Sequence, residues 1–464
     1  MQFTPAACYN AVLAHDRRFD GVFFTCVIST GIYCRPICTA VTPRLQHCTF
    51  VATAADAERQ GFRPCLRCRP ERAPGVTRTQ FTPAQGLAAY IDKTLLSDVT
   101  LSQVAENFRV SDRHLRRTFK TEFGVEPREY LVTRRLLFAK QLLQDSSLPI
   151  AQVAYAAGFG SPGRLTIQMQ RHYNLTPRDL RRTRPASVKT DIILRTDYRP
   201  PLDWESTLQF LAGRATPNER VADGVYTRVI DSEYEVSVRN DAIKMQLVIT
   251  IPVALFARSY WILQRVRRLF DLDANPTAIA DVLHTHPKIG LLIKKYPGIR
   301  VPGCWEPFEM LLRVIIGQQV SVAGATTIMK RLIERIGITP DEVASHSPET
   351  IAAIGMPKKR GETIWRIAIL VRDKKLNLDE MDPQIFHDTL TAQPGIGPWT
   401  AEYLKMRVLR WPDAFPSGDL GLQKAIDPPN RVTERTLIGE LESVRPWRSY
   451  ATMLLWRSLE NKGG

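Results

Sequence analysis

The chain has 464 residues with 63 Lys+Arg against 47 Asp+Glu, a formal net charge of +16. At roughly 100 to 200 residues per domain this length implies two to four domains, and 44% hydrophobic with 24% charged residues excludes a largely disordered chain. The charge is uneven: residues 1–190 hold 27 basic and 14 acidic side chains, a net of +13, leaving 36 and 33, a net of +3, for 191–464. A basic block inside a folded composition suggests a polyanionic partner, most simply nucleic acid, although a merely solvated surface has the same composition.

No stretch approaches the ~18 apolar residues of a transmembrane helix; Leu247–Ala257 is interrupted by Thr250 and Pro252. The start, MQFTPAACYN, lacks the basic head and long apolar run of a secretory signal. The expectation is a cytoplasmic protein with no membrane partner. Its eight cysteines then serve as ligands, nucleophiles or core residues rather than as a disulfide framework.

Seven of the eight cysteines precede position 70. Cys34-x3-Cys38 and Cys65-x2-Cys68 form two close pairs, and close pairs let one turn supply two ligands of a tetrahedral zinc site at little chain-closure cost. Buried core cysteines are the alternative, and core packing is the default for Cys8, Cys26 and Cys48. Arg69–Pro83 reads as a linker. From Leu87 to about Leu180 the pattern is helical, with Leu101, Val104, Ala105 and Phe108 at i, i+3, i+4 and i+7. This stretch contains a repeat. Gln103-Val104-Ala105 recurs as Gln152-Val153-Ala154, and Leu115, Phe119, Phe123 and Pro127 recur at Leu165, Met169, Tyr173 and Pro177.

Each repeat reads as helix, turn, helix. In the first, Ser111 caps a helix carrying Arg113, Arg116, Arg117 and Lys120 beside inward Leu115 and Phe119, which suits the major groove of DNA. The second reading helix, Ser161–Tyr173, has only Arg164 and Arg171 as permanent cations. Arg181–Thr190 reads as a second linker. Residues 225–252 alternate as antiparallel strands, Tyr234, Val236, Val238 then Met245, Leu247, Ile249, around polar Arg239-Asn240-Asp241. From about Trp261 the pattern is helical to the end, and GIG within Gln393–Ala401 suggests a tight hairpin whose backbone N–H groups approach a phosphate.

TGIYCRPICTA (Thr30–Ala40) followed by GFRPCLRC (Gly61–Cys68) resembles the amino-terminal domain of the Ada family of methylation-response proteins. The resemblance implies one Zn²⁺ held by Cys34, Cys38, Cys65 and Cys68, with Cys34 taking a methyl group irreversibly from a methyl phosphotriester in DNA. Methylation would change the formal site charge from −2 to −1 and so remove repulsion from DNA phosphates. The segment 87–183 resembles the AraC-type tandem helix-turn-helix that follows this domain in Ada-type regulators.

Val301-Pro-Gly-Cys, IGQQVSVAGA (Ile316–Ala325), GMPKKRGETI (Gly355–Ile364), PGIGPWTAEY (Pro394–Tyr403), FPSGDLGLQKA (Phe415–Ala425) and PWRSYATMLLW (Pro446–Trp456) resemble, in order, the AlkA-type 3-methyladenine DNA glycosylases of the helix-hairpin-helix superfamily. The family's catalytic carboxylate falls on Asp419, which is otherwise read as a helix N-cap. Phe210, Trp399, Tyr403 and Trp456 match its base pocket, whose π faces attract electron-poor bases. Gly395 and Gly397 match its DNA-binding hairpin, and Gln319 its wedge. Relatives that also cut the strand carry a Lys where Trp399 stands, so a monofunctional, hydrolytic enzyme is implied.

The expected fold is multidomain and mainly α: a small zinc-bound α/β domain (1–77), a tandem helix-turn-helix (84–185), an α+β strand layer (191–275) and an all-helical helix-hairpin-helix glycosylase body (276–464). The implied protein is a monomer, nucleoid-associated, that binds double-stranded, alkylated and promoter DNA and also contacts RNA polymerase. It needs no cofactor for glycosylase chemistry. The competing reading is a transcription activator whose carboxy-terminal half senses lesions without catalysis.

Overall fold

The computed structural model describes residues 3–95, 100–181, 191–378, 382–428 and 430–460. The expected second linker, apart from Arg181, lies outside the described residues. The chain opens with helix α1 (Pro5–Leu13) and a four-stranded sheet of order β3-β1-β2-β4, built from β1 (Phe24–Val27), β2 (Ile32–Cys34), β3 (Cys48–Val51) and β4 (Arg63–Pro64). Helix α2 (Ala54–Arg59) precedes β4. The parallel pairing of β2 with β4 sets Tyr33 opposite Pro64, and the Cys65 N–H donates to the Tyr33 carbonyl at 3.0 Å. The two cysteine pairs therefore leave adjacent strand ends side by side. Cys8 and Cys26 are fully buried, as the core expectation requires, whereas Cys48 is half-exposed.

Seven helices follow, α3 (Pro83–Thr94), α4 (Leu101–Asn107), α5 (Asp112–Phe123), α6 (Pro127–Asp145), α7 (Ile150–Ala156), α8 (Pro162–Tyr173) and α9 (Pro177–Arg181). The repeat is a structural one. Leu115 and Phe119 in α5 and Leu165 and Met169 in α8 are all buried, while Pro127 and Pro177 open the helices that follow. Proline suits that first-turn position, where its missing N–H is not needed. Ser111 and Ser161 cap α5 and α8 through their side chains.

The two repeats differ in attachment. The first closes over its own core of Leu87, Ile91, Val104, Leu115 and Phe119. The second shares one continuous core with the strand layer that follows, from Leu142, Val153 and Leu165 to Leu194, Val238 and Ile249. An edge-to-face contact between Phe138 of α6 and Tyr260, with centroids 4.8 Å apart, marks the seam. The second unit and the strand layer are thus packed as one body.

That layer is a five-stranded antiparallel sheet of order β5-β9-β8-β7-β6, formed by β5 (Asp191–Asp197), β6 (Glu219–Ala222), β7 (Val225–Ile230), β8 (Tyr234–Asp241) and β9 (Gln246–Pro252). Helix α10 (Trp204–Ala212) crosses between β5 and β6. The alternation of Val236 and Val238 is inward, but Arg239-Asn240-Asp241 is not the reversal. Those residues stay in β8, opposite Val248, Leu247 and Gln246. The chain turns at Ala242–Met245, where Asp241 accepts the Lys244 N–H at 3.1 Å and Met245 adopts φ 55°. Polarity alone does not locate a turn when the strand's outer face is itself polar.

Arg69–Pro83 is not a free linker. Arg69 makes a two-pronged ion pair with Asp145 of α6 at 2.7 and 2.8 Å, Arg72 pairs with Asp197 at 2.5 Å, and the Gly75 N–H donates to Asp273 at 2.8 Å. The segment is a strap joining the first domain to both neighbours. The remaining helices form two lobes. One has a core of Leu311, Leu332, Ile364 and Leu404. The other, from Leu422 to Leu455, continues the core of the strand layer.

Glu58 of α2 is buried at the junction of the first domain with the second helix-turn-helix unit. It accepts from Tyr33 of β2 at 3.0 Å, Thr133 of α6 at 2.8 Å and Tyr173 of α8 at 3.1 Å, with His172 Nδ1 3.9 Å away. Burial pushes its carboxyl from 4.5 up to about 8, against the pull of the three hydroxyls and Lys140. A raised folded-state pKa contributes stability that is complete below the unfolded value and is lost as pH rises through the folded one. The melting temperature should therefore fall between about pH 5 and pH 8.5, and Glu58→Gln should flatten that fall. An unchanged slope in differential scanning fluorimetry would contradict this assignment.

Candidate metal centre and candidate active site

The sulfurs of Cys34, Cys38, Cys65 and Cys68 all lie within 4.8 Å of one another, the single such group of potential ligands found among the described residues. Cys38 Sγ and Cys65 Sγ are 4.0 Å apart. A tetrahedron of Zn–S bonds has edges of about 3.8 Å, so four soft donors with no competing oxygen ligand fit Zn²⁺. The set is fixed by its neighbours: the Arg35 N–H donates to Cys68 Sγ at 3.3 Å, and Arg35 Nη1 donates to the Cys68 carbonyl at 3.0 Å. Arg35 itself is only 2% exposed. Sequence reading did not single it out, since nothing in the spacing of an arginine predicts burial.

On α5, Arg113, Arg116, Arg117 and Lys120 are all exposed on the face opposite Leu115 and Phe119. Arg113 and Arg116 have no ion-pair partner among the described residues; Lys120 sits 3.2 Å from Glu126. On α8, Arg164 is exposed, and so is Ile167, at 64%. The second helix therefore presents a more apolar surface than the first.

The four expected pocket aromatics come together with Asp419 where the two lobes meet. Trp399 stacks on Tyr403 with centroids 5.5 Å apart, and Tyr403 lies 5.8 Å from Trp456. Tyr403 packs against the cores of both lobes. Phe210 shares a small cleft with Trp456, but its ring already carries the Arg214 guanidinium at 3.7 Å and that of Arg407 at 4.9 Å. Arg407 also donates to the Tyr403 hydroxyl at 2.8 Å. Although burial raises the Tyr403 phenol, the cationic field of Arg407, Arg214 and Arg313 outweighs it and holds the group below its ordinary range. Trp399, Tyr403 and Trp456 form a continuous, partly exposed aromatic wall, with Arg407 also 5.7 Å from the Tyr403 ring.

Asp419 is the helix N-cap its own segment suggests, and its carboxylate also meets the expected pocket aromatics. One carboxylate oxygen caps the helix Leu420–Ile426 by accepting the Leu422 N–H at 2.9 Å and also takes the Trp456 indole N–H at 3.3 Å. The other accepts the Trp399 indole N–H at 3.2 Å. Three donors thus aim an acceptor-only group into an aromatic wall. Asp413, the rival carboxylate in the same segment, is instead consumed by Arg445 and Arg448 at 2.6 and 2.7 Å.

The hairpin before the helix Pro398–Leu404 needs its first glycine. Gly395 has φ +90°, and a Cβ there would sit 2.3 Å from Thr363 Oγ1. Gly397 faces open space and has φ −94°. Gln319 is exposed in the left-handed region at φ 58° between the helices Pro307–Ile316 and Val322–Arg335. Its neighbour Gln318 ties this loop to the hairpin, donating to the Gly395 carbonyl at 3.0 Å and to Thr400 at 3.1 Å. Arg360 holds the Gln318 carbonyl at 2.7 Å. Neither Gln318's bonds nor Arg360 were anticipated, because both depend on chain segments brought together only by folding.

Metal removal gives a direct check on the cysteine assignment. Titration with an aromatic disulfide should find Cys34, Cys38, Cys65 and Cys68 slow to react while Zn²⁺ is present and fast after chelation. Fully buried Cys8 and Cys26 should stay slow in both states. Unchanged thiol kinetics on chelation would remove the metal site.

Four family models match in sequence: the metal binding domain of Ada over residues 7–71, a helix-turn-helix domain over 104–183, the AlkA N-terminal domain over 193–306, and the HhH-GPD superfamily of base excision DNA repair proteins over 312–436. The "Probable bifunctional transcriptional activator/DNA repair enzyme AlkA" of Mycobacterium tuberculosis is 34% identical, over 98% of this chain and 96% of that protein. DNA-3-methyladenine glycosylase 2 of Escherichia coli is 32% identical over 56% of this chain and 95% of its own length. The 3-methyladenine DNA glycosylase structure from Archaeoglobus fulgidus, 20% identical, superposes with a TM-score of 0.51 over 58% of this chain and 99% of that one, which is a likeness of fold. The chain belongs to the AlkA family in which an Ada metal-binding domain, a helix-turn-helix domain and a helix-hairpin-helix DNA glycosylase are joined in one polypeptide.

Proposed function

We propose that the protein serves the adaptive response to DNA alkylation, as a methyl-accepting transcription regulator joined to a monofunctional DNA-3-methyladenine glycosylase. The observation that carries the enzyme reading is the Asp419 carboxylate held between two indole N–H donors in an aromatic wall. In this reading residues 1–77 accept the methyl group, 84–185 read the promoter, and 191–275 and 276–464 form the glycosylase. The reading is of a cytoplasmic, nucleoid-associated monomer that recruits RNA polymerase; no helix among the described residues is long and apolar enough to cross a membrane.

In the glycosylase a flipped alkylated base lies against Trp399, Tyr403 and Trp456, gaining about 1–3 kcal/mol from stacking. As the N-glycosidic bond breaks, positive charge develops on the sugar, and Asp419 stabilises it while water adds to the anomeric carbon. The indole donors keep the carboxylate in place without competing for its charge. Gln319 fills the gap in the duplex, and Gly395 and Gly397 let the hairpin approach the backbone. Trp399 offers no amine, so no Schiff base forms. The reaction needs no cofactor.

In the first domain, one bound Zn²⁺ would keep the four cysteine sulfurs in thiolate form at neutral pH. Cys34 takes the methyl group of a phosphotriester: an S–C bond forms, the O–CH₃ bond breaks, and the phosphate leaves as an ordinary diester. Arg113, Arg116, Arg117 and Lys120 of α5 then read or clamp promoter DNA, with Arg164 of α8 as a weaker second contact.

Asp419→Asn should lower 3-methyladenine release from alkylated duplex by about 100-fold or more, and borohydride should trap no covalent adduct with wild type. If wild type and Asp419→Asn release the base equally slowly, the carboxy-terminal half is a lesion sensor without catalysis. Mass spectrometry after exposure to methyl phosphotriester DNA should place one methyl on Cys34; its absence would leave the metal site structural.

A further inference from the structure

Arg35 links the two cysteine loops, but its side chain does not end within the first domain. Its Nε and Nη2 engage Asp20, with Nε to Oδ1 at 2.8 Å. Nη1, the nitrogen that holds the Cys68 carbonyl at 3.0 Å, also donates to Asp197 Oδ2 at 2.7 Å. Asp197 closes strand β5 of the AlkA-like layer, where it pairs in register with Gln246 of β9. Its other oxygen takes Arg72 Nε at 3.1 Å and Nη2 at 2.5 Å.

These four groups form a neutral set, Arg35 and Arg72 against Asp20 and Asp197, and all but Arg72 are buried. Asp20 orients one edge of the Arg35 guanidinium. The nitrogen that reaches the cysteine loop is aimed by Asp197. Without that carboxylate the Nη1 edge would have only a carbonyl to hold it, and Arg72 would keep only Gln246, so the set would carry an uncompensated positive charge that a buried site does not tolerate in place. Arg35 follows Cys34 directly, and its own N–H donates to Cys68 Sγ. Its N–H and its Nη1 thus bind the same cysteine loop, so displacing the side chain strains the backbone next to Cys34.

We propose that Asp197 is a positioning residue for methyl acceptance at Cys34, so that the methyl-accepting site is completed by a carboxylate from the glycosylase half of the chain; this rests on the methyl-acceptor reading above. Transfer requires Cys34 Sγ in line with the O–CH₃ bond of the phosphotriester. Asp197 acts on that alignment through Arg35 and touches neither DNA nor methyl group. Partners that orient ligand loops in this indirect way typically change activity by about 10- to 100-fold when removed.

The test uses the full-length zinc-loaded protein and duplex DNA carrying a single methyl phosphotriester. Single-turnover transfer to Cys34, followed by peptide mass, should slow by about tenfold or more in Asp197→Asn and recover in Asp197→Glu. Arg72→Met, which leaves the Arg35–Asp197 contact in place but removes one cation from the set, should slow transfer clearly less than Asp197→Asn. Amide hydrogen exchange at Arg35 should quicken in Asp197→Asn, and release of 3-methyladenine by the same preparations should be unchanged. Wild-type transfer by Asp197→Asn would overturn the proposal, as would equal slowing by Arg72→Met, which would reduce the contact to domain docking. No transfer by wild type would instead refute the methyl-acceptor reading, leaving the exchange result to show whether Asp197 holds the loop.

Discussion

Charges removed from water must be paired, and this protein places several such pairs across its domain boundaries. Lys140 of α6 is wholly buried and rests on Glu71 of the strap. Burial pushes the Glu71 carboxyl up, yet Lys140 and Arg69 outweigh this and hold it at about 2. Arg69 reaches on to Asp145, and Arg35 and Arg72 converge on Asp197. Such pairs add little net stability, because desolvation offsets their attraction, but separating one leaves an uncompensated buried ion at a cost of about 3–5 kcal/mol. These pairs hold the first domain against α6 and against β5.

What was legible in the sequence follows the range of the signal. The cysteine pairs are local, and a parallel β2–β4 pairing was enough to bring them together. The helix-turn-helix repeat is periodic, so Leu115 and Leu165 announced their burial. Asp419 was readable as an N-cap from its own segment and as a catalytic candidate only through family resemblance; its indole donors, Trp399 and Trp456, lie 20 and 37 residues away. Glu58 stands in the sequence AADAERQ, which looks like an exposed helix face. It is buried because Tyr33, Thr133 and Tyr173 arrive from three other elements. The strap misleads for the same reason: prolines and arginines are typical of linkers, and only the opposing carboxylates of Asp145 and Asp197 turn those arginines inward.

The shared core between the second helix-turn-helix unit and the strand layer bears on how the chain meets DNA. A promoter reader and a lesion processor joined by a flexible tether would search independently. Here α8 and the sheet are two faces of one hydrophobic body, so the second reading helix keeps a fixed orientation relative to the glycosylase lobes. The first unit has a separate core and exposes Arg113, Arg116 and Arg117 on one helix face. Of the two helix-turn-helix units, the first exposes more cations for phosphate neutralisation, and with it steep salt dependence.

This arrangement also corrects a simple use of net charge. The surplus of +13 before residue 190 suggests a uniformly basic regulator beside a near-neutral enzyme. Several of its cations are consumed internally, however: Arg35 and Arg72 are neutralised by Asp197, from the other half, and Arg69 and Lys140 by Asp145 and Glu71. The electrostatic boundary is thus not at the sequence boundary. On α5 the exposed cations Arg113, Arg116, Arg117 and Lys120 attract DNA phosphates, whereas the cysteine thiolates would repel them until one is methylated. With a cationic reading helix and an anionic sensor in one chain, methylation becomes a change in DNA affinity, because the helix's attraction is constant and only the sensor's repulsion changes.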